Sequence, residues 1–200
     1  GRSKVAKHER IVLDGDDVRR TLVRIAHEIV EKNPGRDGLG LVGIHTRGAV
    51  LASRLHTLVS ELTGSEVPLG DLDISFYRDD VEDRGPGAQP VVHASHLDFD
   101  LNGRTIVLVD DVMFTGRTTR AAIDALFDYG RPERIQLAVL VDRGHRQLPI
   151  RADYVGKNLP TSLGERVNVR VEELDELDEV TISAAAGKGA AVGAPQEEEA

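Results

Sequence analysis

The sequence predicts an α/β fold built on a central, mainly parallel sheet that is flanked by helices. Apolar, β-branched runs of strand length alternate along the chain with segments in which apolar residues recur at helical spacing. Several of the apolar runs end directly in polar loops that contain glycine. Because ligands bind beside the carboxyl ends of the strands in such sheets, these loops are where we look for function.

Length and composition fit one compact domain. The 200 residues are 40% hydrophobic, which is enough for a sizeable core. The absence of cysteine excludes disulfides, thiolate nucleophiles and cysteine-based metal sites. No apolar run is long enough to span a membrane and no signal-peptide pattern occurs, so we expect a cytoplasmic protein without a membrane partner.

Charge is distributed unevenly along the chain. The formal net charge of -9 argues at first against a polyanionic partner. Residues 171–200, however, hold nine acids against one Lys, whereas residues 1–36 hold nine Lys and Arg against six acids. Residues 131–170 hold eight Lys and Arg against four acids. Two segments are therefore basic within an acidic protein, which allows a local polyanion site without proving one.

The ends of the chain and one internal segment are unlike the rest. We expect a mobile basic N-terminus over residues 1–10, a main domain over residues 11–183 and a disordered acidic tail over residues 184–200. Residues 79–100 are rich in Asp, Gly, Pro and His, which predicts a long excursion from the fold. That excursion is either a surface loop or a lid over a site.

The first predicted helix carries a basic stripe. The helix begins after Asp14 or Asp16 and ends near Lys32, before an Asn-Pro-Gly turn. One of its faces is apolar, and another presents Arg20, Arg24 and His27 at helical spacing. A solvated face is the simpler interpretation of that stripe.

Near the other end of the chain, residues 167–171 and 180–182 predict late edge strands.

Residues 105–119 are the most informative stretch of the sequence. A buried strand, Ile106–Val109, runs into Asp110 and Asp111, and a loop of Thr and Gly leads from there into a helical pattern. Amides of such a loop and helix start suit an anion, and carboxylates accept hydrogen bonds from hydroxyls, so the pattern is typical of a phosphorylated-sugar site. No G-x-x-x-x-G-K-[ST] motif is present. Between an earlier strand and helix, residues 46–48 form a second anion-binding pattern.

Residues 105–119 closely resemble the signature for 5-phosphoribosyl-1-pyrophosphate (PRPP) in type I phosphoribosyltransferases. Other segments resemble the PyrR family, whose members regulate bacterial pyrimidine operons and are also uracil phosphoribosyltransferases. The matching segments are residues 25–28, 46–48, 76–80, 105–119, 130–132, 136–146, 148–158 and 160–162. The resemblance spans about residues 11–183 and implies a type I phosphoribosyltransferase fold with a flexible flap, about residues 78–100, and a small hood.

The resemblance implies the reaction of uracil and PRPP to UMP and pyrophosphate. The implied PRPP site comprises Thr46, Arg47, Asp110, Asp111, Val112, Met113, Phe114, Thr115, Gly116, Arg117, Thr118 and Thr119. The two aspartates would hold the ribose hydroxyls, and residues 115–119 would cradle the 5′-phosphate. Thr46 and Arg47 would bind pyrophosphate, in a loop that often carries a non-proline cis peptide. Mg²⁺ would be held mainly by PRPP and water, with Asp110 and Asp111 as candidate ligands.

The resemblance also implies a flap, a base site and partners. Tyr77 and Arg78 would begin the flap, and Arg78 would act in catalysis with Arg47 and the two aspartates. Uracil would be read largely by backbone near Val141, Arg143 and Val167. A homodimer or higher homo-oligomer is expected.

The second implied activity is binding to pyrimidine operon leader mRNA, with UMP or UTP as co-regulator. The implied RNA-binding residues are Arg20, Arg24, His27, His145, Arg146, Arg151 and Lys157. Two departures from the family pattern bear on this role. Val23 replaces a hydroxyl residue, and Leu163-Gly164 replaces a polar, usually basic pair, so either change would weaken or retune RNA binding.

Phe114 helps to choose the base. In the 6-oxopurine branch of the superfamily an acid occupies this position and can protonate the purine ring, whereas Phe114 has no proton to give. The position therefore favours a pyrimidine. Two alternatives stay open: a phosphoribosyltransferase for another base without an RNA role, and an RNA-binding regulator with only residual catalysis.

Overall fold

The computed structural model describes residues 9–35, 37–76 and 90–184. The elements in chain order are β1 (Glu9–Leu13), α1 (Gly15–Lys32), β2 (Leu39–Ile44), α2 (Arg47–Thr63), β3 (Leu69–Phe76), β4 (Pro90–His96), β5 (Thr105–Met113), α3 (Arg117–Tyr129), β6 (Arg134–Asp142), β7 (Tyr154–Asn158), β8 (Arg166–Arg170), α4 (Glu172–Asp175) and β9 (Glu179–Ser183). The predicted Tyr77, Arg78 and residues 79–89 of the flap lie outside the described residues, as do residues 1–8 and 185–200.

A six-stranded sheet forms the centre of the fold, in the strand order β4-β3-β2-β5-β6-β7. All neighbouring pairs are parallel except β3 and β4, which are antiparallel. The predicted α/β fold with a mainly parallel sheet is therefore confirmed. Strand β4 is a correction, because the composition of residues 90–96 predicts part of the excursion rather than a strand.

Both faces of the sheet are covered by helices, as the sequence predicts. Val107 and Val109 of β5 belong to the core cluster that includes the buried faces of α1 and α2. Ile106 and Leu108 belong to the cluster that includes the buried face of α3. Alternate side chains of one strand thus enter opposite cores, which is why this strand is a continuous apolar run. No helix in the described ranges has the length and apolar character needed to cross a membrane.

Helix α1 is fixed at both ends. Asp14 is its N-cap: the Asp17 amide donates to Asp14 Oδ1 at 2.8 Å, and the Asp14 amide donates to Asp17 Oδ2 at 3.1 Å. At the other end, the buried side-chain amide of Asn33 donates through Nδ2 to Gln136 Oε1 at 3.0 Å and to the Tyr154 hydroxyl at 3.2 Å. The Tyr154 hydroxyl in turn donates to Gln136 Oε1 at 2.7 Å. This buried network joins the end of α1 to β6 and β7.

A second, three-stranded antiparallel sheet forms a small hood, in the order β1-β9-β8. Arg170 of β8 pairs with Glu9 of β1 and with Glu179 of β9, both at 2.7 Å. The prediction of edge strands is right for β8 and wrong for β9. Strand β9 is central because β1, from the opposite end of the described chain, adds to its free edge.

Candidate functional site

An acidic pair lies at the carboxyl end of β5. Asp110 is buried, with 9% of its surface exposed, whereas Asp111 is half-buried. Asp110 Oδ1 accepts the Asp111 amide and Asp111 Oδ1 accepts the Val112 amide, each at 2.8 Å. Burial raises the pKa of Asp110 well above its usual value, and the neighbouring Asp111 carboxylate raises it further. The pair therefore offers one carboxyl group that resists ionisation and one that is accessible.

The loop after β5 ends at the start of α3. Gly116 has a φ of 93°, a left-handed conformation that glycine adopts without strain, and it occupies the N-cap position of α3. Gly116 has no side chain to cap the helix, and the Arg117 amide donates to Thr115 Oγ1 at 3.3 Å. The amides that follow in the first turn lack partners within the helix, and such amides suit an anion. Side chains of Met113 and Thr119 are 2% and 4% exposed, which leaves backbone groups as their contribution to the predicted PRPP site.

The opposite side of this loop is held by the segment after β6. Arg146 Nη1 donates to the carbonyl of Phe114 at 2.9 Å, and the Gln147 amide donates to the carbonyl of Thr115 at 2.9 Å. Arg146 also forms a two-pronged ion pair with Asp142. Burial opposes ionisation of Asp142, but hydrogen bonds from Arg146 and the Gly144 amide outweigh it, and its pKa is lowered. The carbonyls of Phe114 and Thr115 are thus already hydrogen-bonded to the segment after β6.

The predicted pyrophosphate loop lies beside the acidic pair. The His45–Thr46 peptide is cis, and Arg47 begins α2. A Cβ added to Gly48 would lie 2.6 Å from the carbonyl oxygen of Val109 and 3.1 Å from Cα of Asp110. Only glycine therefore permits this approach of the loop to β5. Arg47 Nη2 donates to Asp175 Oδ1 at 2.8 Å, and Arg47 Nε is buried without a partner among the described residues.

The three predicted base contacts have different environments. Val141 is fully buried in the core, so only its backbone could meet a ligand. The backbone amide of Arg143 donates to the Met113 carbonyl. The Arg143 carbonyl accepts the Thr161 hydroxyl, which leaves one lone pair of this carbonyl oxygen for a base. Val167 is half-buried on β8 of the hood.

Phe114 is enclosed by cationic and aromatic groups. The Arg143 guanidinium carbon lies 4.3 Å from the centre of the Phe114 ring, and His145 contacts the ring edge-on at 5.7 Å between centroids. Arg143 itself donates to Thr161 Oγ1 and to the carbonyls of Ser162 and Glu165. These hydrogen bonds connect the loop after β6 to residues 161–165, which precede the hood strand β8.

The two basic segments meet between α1 and β7. Arg24 donates to the carbonyl of Gly156 at 2.6 Å and to that of Val155 at 3.2 Å, and it pairs with Glu28 at 2.8 Å. A Cβ added to Gly156 would lie 2.7 Å from Thr21 Cγ2, so the helix packs closely on the strand. The predicted RNA-binding residues that are exposed on these segments are Arg20, Arg24, His27, Arg151 and Lys157.

Two predicted RNA-binding residues are engaged inside the fold instead. Arg146 is held by Asp142 and by the carbonyls of Phe114 and Ile150. His145 is half-buried, and its Nε2 lies 2.6 Å from the Thr161 carbonyl. An arginine that already has an ionic partner and two carbonyl partners has little capacity left for phosphate. The RNA-binding role of these two residues stays a prediction; in this structure Arg146 holds the loop after β5 and His145 contacts Thr161.

Asp175, which contacts α2 through Arg47, is a functional candidate that the sequence reasoning missed. Arg54 forms two-pronged ion pairs with Glu173 and Asp178, and Asp175 pairs with Arg47. A signal was available, since Arg47 and Arg54 are seven residues apart and therefore share a helix face. The acids that match them are clustered over residues 172–178.

The buried acidic pair beside the start of α3, on this sheet, agrees with the class of phosphoribosyltransferases. Residues 11–175 match the phosphoribosyl transferase domain family. Two similar solved structures are the hypoxanthine phosphoribosyltransferase of Trypanosoma cruzi in complex with IMP and a hypoxanthine-guanine phosphoribosyltransferase of Bacillus anthracis. Their TM-scores are 0.71 and 0.69, at 19% and 17% identity, and the alignments cover 92% and 90% of this chain and 97% and 100% of those chains. At such identities they establish the fold alone.

Relatives with much higher identity narrow the family. The bifunctional protein PyrR of Chloroflexus aurantiacus is 58% identical over 175 residues, which cover 88% of this chain and 95% of that protein. The bifunctional protein PyrR of Thermus thermophilus is 59% identical over 171 residues, 86% of this chain and 93% of that protein. The chain belongs to the PyrR family, and it contains the phosphoribosyl transferase domain.

Proposed function

We propose that this protein converts uracil and PRPP to UMP and pyrophosphate and, with UMP or UTP as co-regulator, binds pyrimidine operon leader mRNA. The observation that carries the catalytic half is the acidic pair, Asp110 and Asp111, at the carboxyl end of β5 next to the start of α3. Membership of the PyrR family supports both halves. A role on PRPP and mRNA would place the protein in the cytoplasm, and a homodimer or higher homo-oligomer is part of the proposal.

The phosphorylated sugar would bind between β5 and α3. Amides of residues 115–119 would donate to the 5′-phosphate, helped by the positive end of the α3 dipole. The ribose hydroxyls would donate to Asp111 and share hydrogen bonds with Asp110. Because burial disfavours ionisation of Asp110, its carboxyl group would serve the ribose as a hydrogen-bond partner rather than as a negative charge.

The leaving pyrophosphate would bind at Thr46 and Arg47. The buried Arg47 Nε, which has no partner among the described residues, supports this role, because an unpaired buried donor costs about 1–3 kcal/mol unless a ligand satisfies it. Carboxylate oxygens suit Mg²⁺, and when bound with PRPP the ion would neutralise charge on the leaving group. In the described parts of the chain no cluster of three or more acidic or histidine side chains could hold a metal, so Asp110, Asp111, PRPP oxygens and water would be its ligands. Arg78 stays a prediction.

The base would bind beyond Phe114, between the loop after β6 and the hood. Phe114 is packed against Arg143 and offers neither a proton nor an acceptor, which supports a pyrimidine over a 6-oxopurine. Arg143 would contribute its carbonyl, and Val167 would contribute apolar contact from β8. The Arg143 side chain would act indirectly, by holding residues 161–165 against this pocket.

RNA would bind the exposed basic residues of α1, of β7 and of the loop before β7. Together they are called the basic face: Arg20, Arg24, His27, Arg151 and Lys157. Arg24 is 46% exposed, so its guanidinium can meet a phosphate while it holds the two β7 carbonyls. Lysine and arginine contacts to phosphate position RNA, whereas bases in loops and bulges supply specificity.

A substrate panel tests the catalytic half. We expect turnover with uracil, and not with hypoxanthine, guanine or orotate, when each is offered with PRPP and Mg²⁺ in a spectrophotometric assay. Turnover of a purine without turnover of uracil would replace the proposal with a phosphoribosyltransferase for another base. RNA binding that persists beside negligible turnover of every base would instead favour a regulator with residual catalysis.

A gel shift with the pyrimidine leader RNA, with and without UMP, tests the regulatory half. We expect UMP to tighten binding. The matched variants are Arg24→Ala, on the basic face, and Arg19→Ala, which removes the same charge from another face of α1 where the side chain is 67% exposed. Equal RNA affinity in the two variants would remove the basic face from the proposal.

A further inference from the structure

Arg47 is held by a carboxylate from the hood. Its Nη2 donates to Asp175 Oδ1 at 2.8 Å, and the two side chains are 36% and 19% exposed. The partners are 128 residues apart in sequence, so the contact joins the start of α2 to α4. An arginine side chain has many rotamers, and one fixed ionic partner removes most of that freedom before a ligand arrives.

Asp175 is itself fixed in place. Its Oδ2 accepts the Val171 amide at 2.8 Å, so the two carboxylate oxygens have different partners. Burial opposes ionisation of this group, but the hydrogen bonds from the Val171 amide and Arg47 outweigh it and lower its pKa. The carboxylate is therefore charged at neutral pH and cannot rotate without losing one of its two bonds.

A second ion-pair cluster fixes α4 independently. Arg54, two helical turns beyond Arg47, donates to Glu173 at 2.7 and 2.9 Å and to Asp178 at 2.7 and 2.9 Å. Two carboxylates on one guanidinium anchor the hood to α2 without reaching the loop at residues 45–47. The hood therefore has an attachment to α2 that involves neither Arg47 nor Asp175. The Arg47–Asp175 contact is free to serve another function.

We infer that Asp175 is a positioning residue that holds the Arg47 guanidinium in the orientation that binds pyrophosphate. This inference rests on the proposed role of Arg47. While its Nη2 donates to Asp175, the Arg47 guanidinium keeps other N–H donors for phosphate oxygens, and these include the unpartnered Nε.

The reverse reaction, from UMP and pyrophosphate, separates the two ligands. We expect Asp175→Asn to raise the KM for pyrophosphate about tenfold, the loss typical of one hydrogen bond to a charged group, with the KM for UMP changed less than about twofold. Glu173→Gln is the matched control: it removes one carboxylate from the same short helix, while Arg54 keeps Asp178. We expect this variant to leave both constants near wild type, with melting temperatures recorded for every variant.

A double-mutant cycle distinguishes positioning from other roles. In the Arg47→Ala background, Asp175→Asn should add no further increase in the pyrophosphate KM, because the group that it positions is gone. Asp175→Glu keeps the charge one methylene away, so its pyrophosphate KM should lie between those of the wild type and Asp175→Asn. This variant also decides the matter if Asp175→Asn does not fold.

Each contrary outcome has a distinct meaning. An unchanged pyrophosphate KM in both Asp175 variants, beside a raised KM in Arg47→Ala, overturns the inference and leaves the proposed function intact. An equal loss in the presence and absence of Arg47 also overturns it. If Arg47→Ala itself binds pyrophosphate normally, the proposed pyrophosphate site is wrong, and the role of Asp175 is wrong with it.

Discussion

The end of β5 and the basic face arrange charge in opposite ways. Asp110 is buried beside Asp111, and each of the two carboxylates accepts a backbone amide. On the basic face, Arg20 is 65% exposed and paired with Asp17, and Arg24 is 46% exposed and paired with Glu28. Charges in the first region are fixed by the fold, whereas those in the second are screened by water and salt. Single substitutions should therefore have large effects at β5 and graded effects on the basic face.

The largest expected effect is at Asp111. Asp111→Asn should lower kcat/KM for PRPP by about 100-fold or more, because the amide loses the negative charge near the reacting carbon while it keeps the acceptor for the Val112 amide. Initial rates over a range of PRPP concentrations measure this. A rate within about threefold of the wild type would show that the predicted ribose contact is misassigned, and Asp73→Asn on β3 is a control for the loss of one charge.

On the basic face the largest effect should come from Arg24. Arg24→Ala should weaken leader binding by about tenfold to thirtyfold and leave uracil turnover near normal, since it removes a phosphate contact and the tie to Val155 and Gly156. Arg24→Lys keeps the charge without the forked hydrogen bonds, so its affinity should fall between those of the wild type and Arg24→Ala. Wild-type RNA affinity in Arg24→Ala would contradict the comparison directly.

For Asp110 we predict an effect on the stability of the fold rather than on the rate of the reaction. A raised folded pKa means that the stability Asp110 contributes is present in full below its unfolded pKa and is lost as pH rises through the folded pKa. Asp110→Asn cannot ionise, so at pH 7–8 it should melt a few degrees above the wild type, at roughly 2–4 °C per kcal/mol for a chain of this size. The difference should shrink toward acidic pH. A lower melting temperature at pH 8 would show that other groups of the fold stabilise the buried charge.

The smallest effect should be at Lys157, an exposed residue of β7. Lys157→Ala should weaken RNA binding a few-fold and reduce the slope of log affinity against log salt by about 0.7–0.9, the value for one phosphate contact. Titrations at several salt concentrations measure the slope. An unchanged slope with weaker binding would indicate that Lys157 contacts a base or supports the strand.

Sequence reasoning succeeded where the determinants are local. The apolar run of β5, the acidic pair and the start of α3 are contiguous, so strand, site and helix could be predicted together from residues 105–119. The cap of α1 at Asp14 was one of two choices offered by the sequence, and the capping box with Asp17 decides between them.

Failures came where partners are distant or where composition misleads. Asp175 is 128 residues from Arg47, so although Arg47 and Arg54 share a helix face, their spacing did not show which acids they meet. The bond from Arg146 to the Phe114 carbonyl was not predicted, because the two residues are 32 apart in sequence and meet only where β5 and β6 pair. Strand β4 was missed because proline and histidine are unusual in strands, although pairing along one edge of a sheet tolerates them.

The hood has a consequence for the order of events during synthesis. Strand β1 is synthesised before the other described elements, yet its only sheet neighbour within the described residues is β9, with Glu9 opposite Ser183. The opening strand must therefore wait, without hydrogen-bonded neighbours, until nearly the whole described chain has been made. Contacts between such distant segments form slowly, so we expect the hood to assemble after the six-stranded sheet.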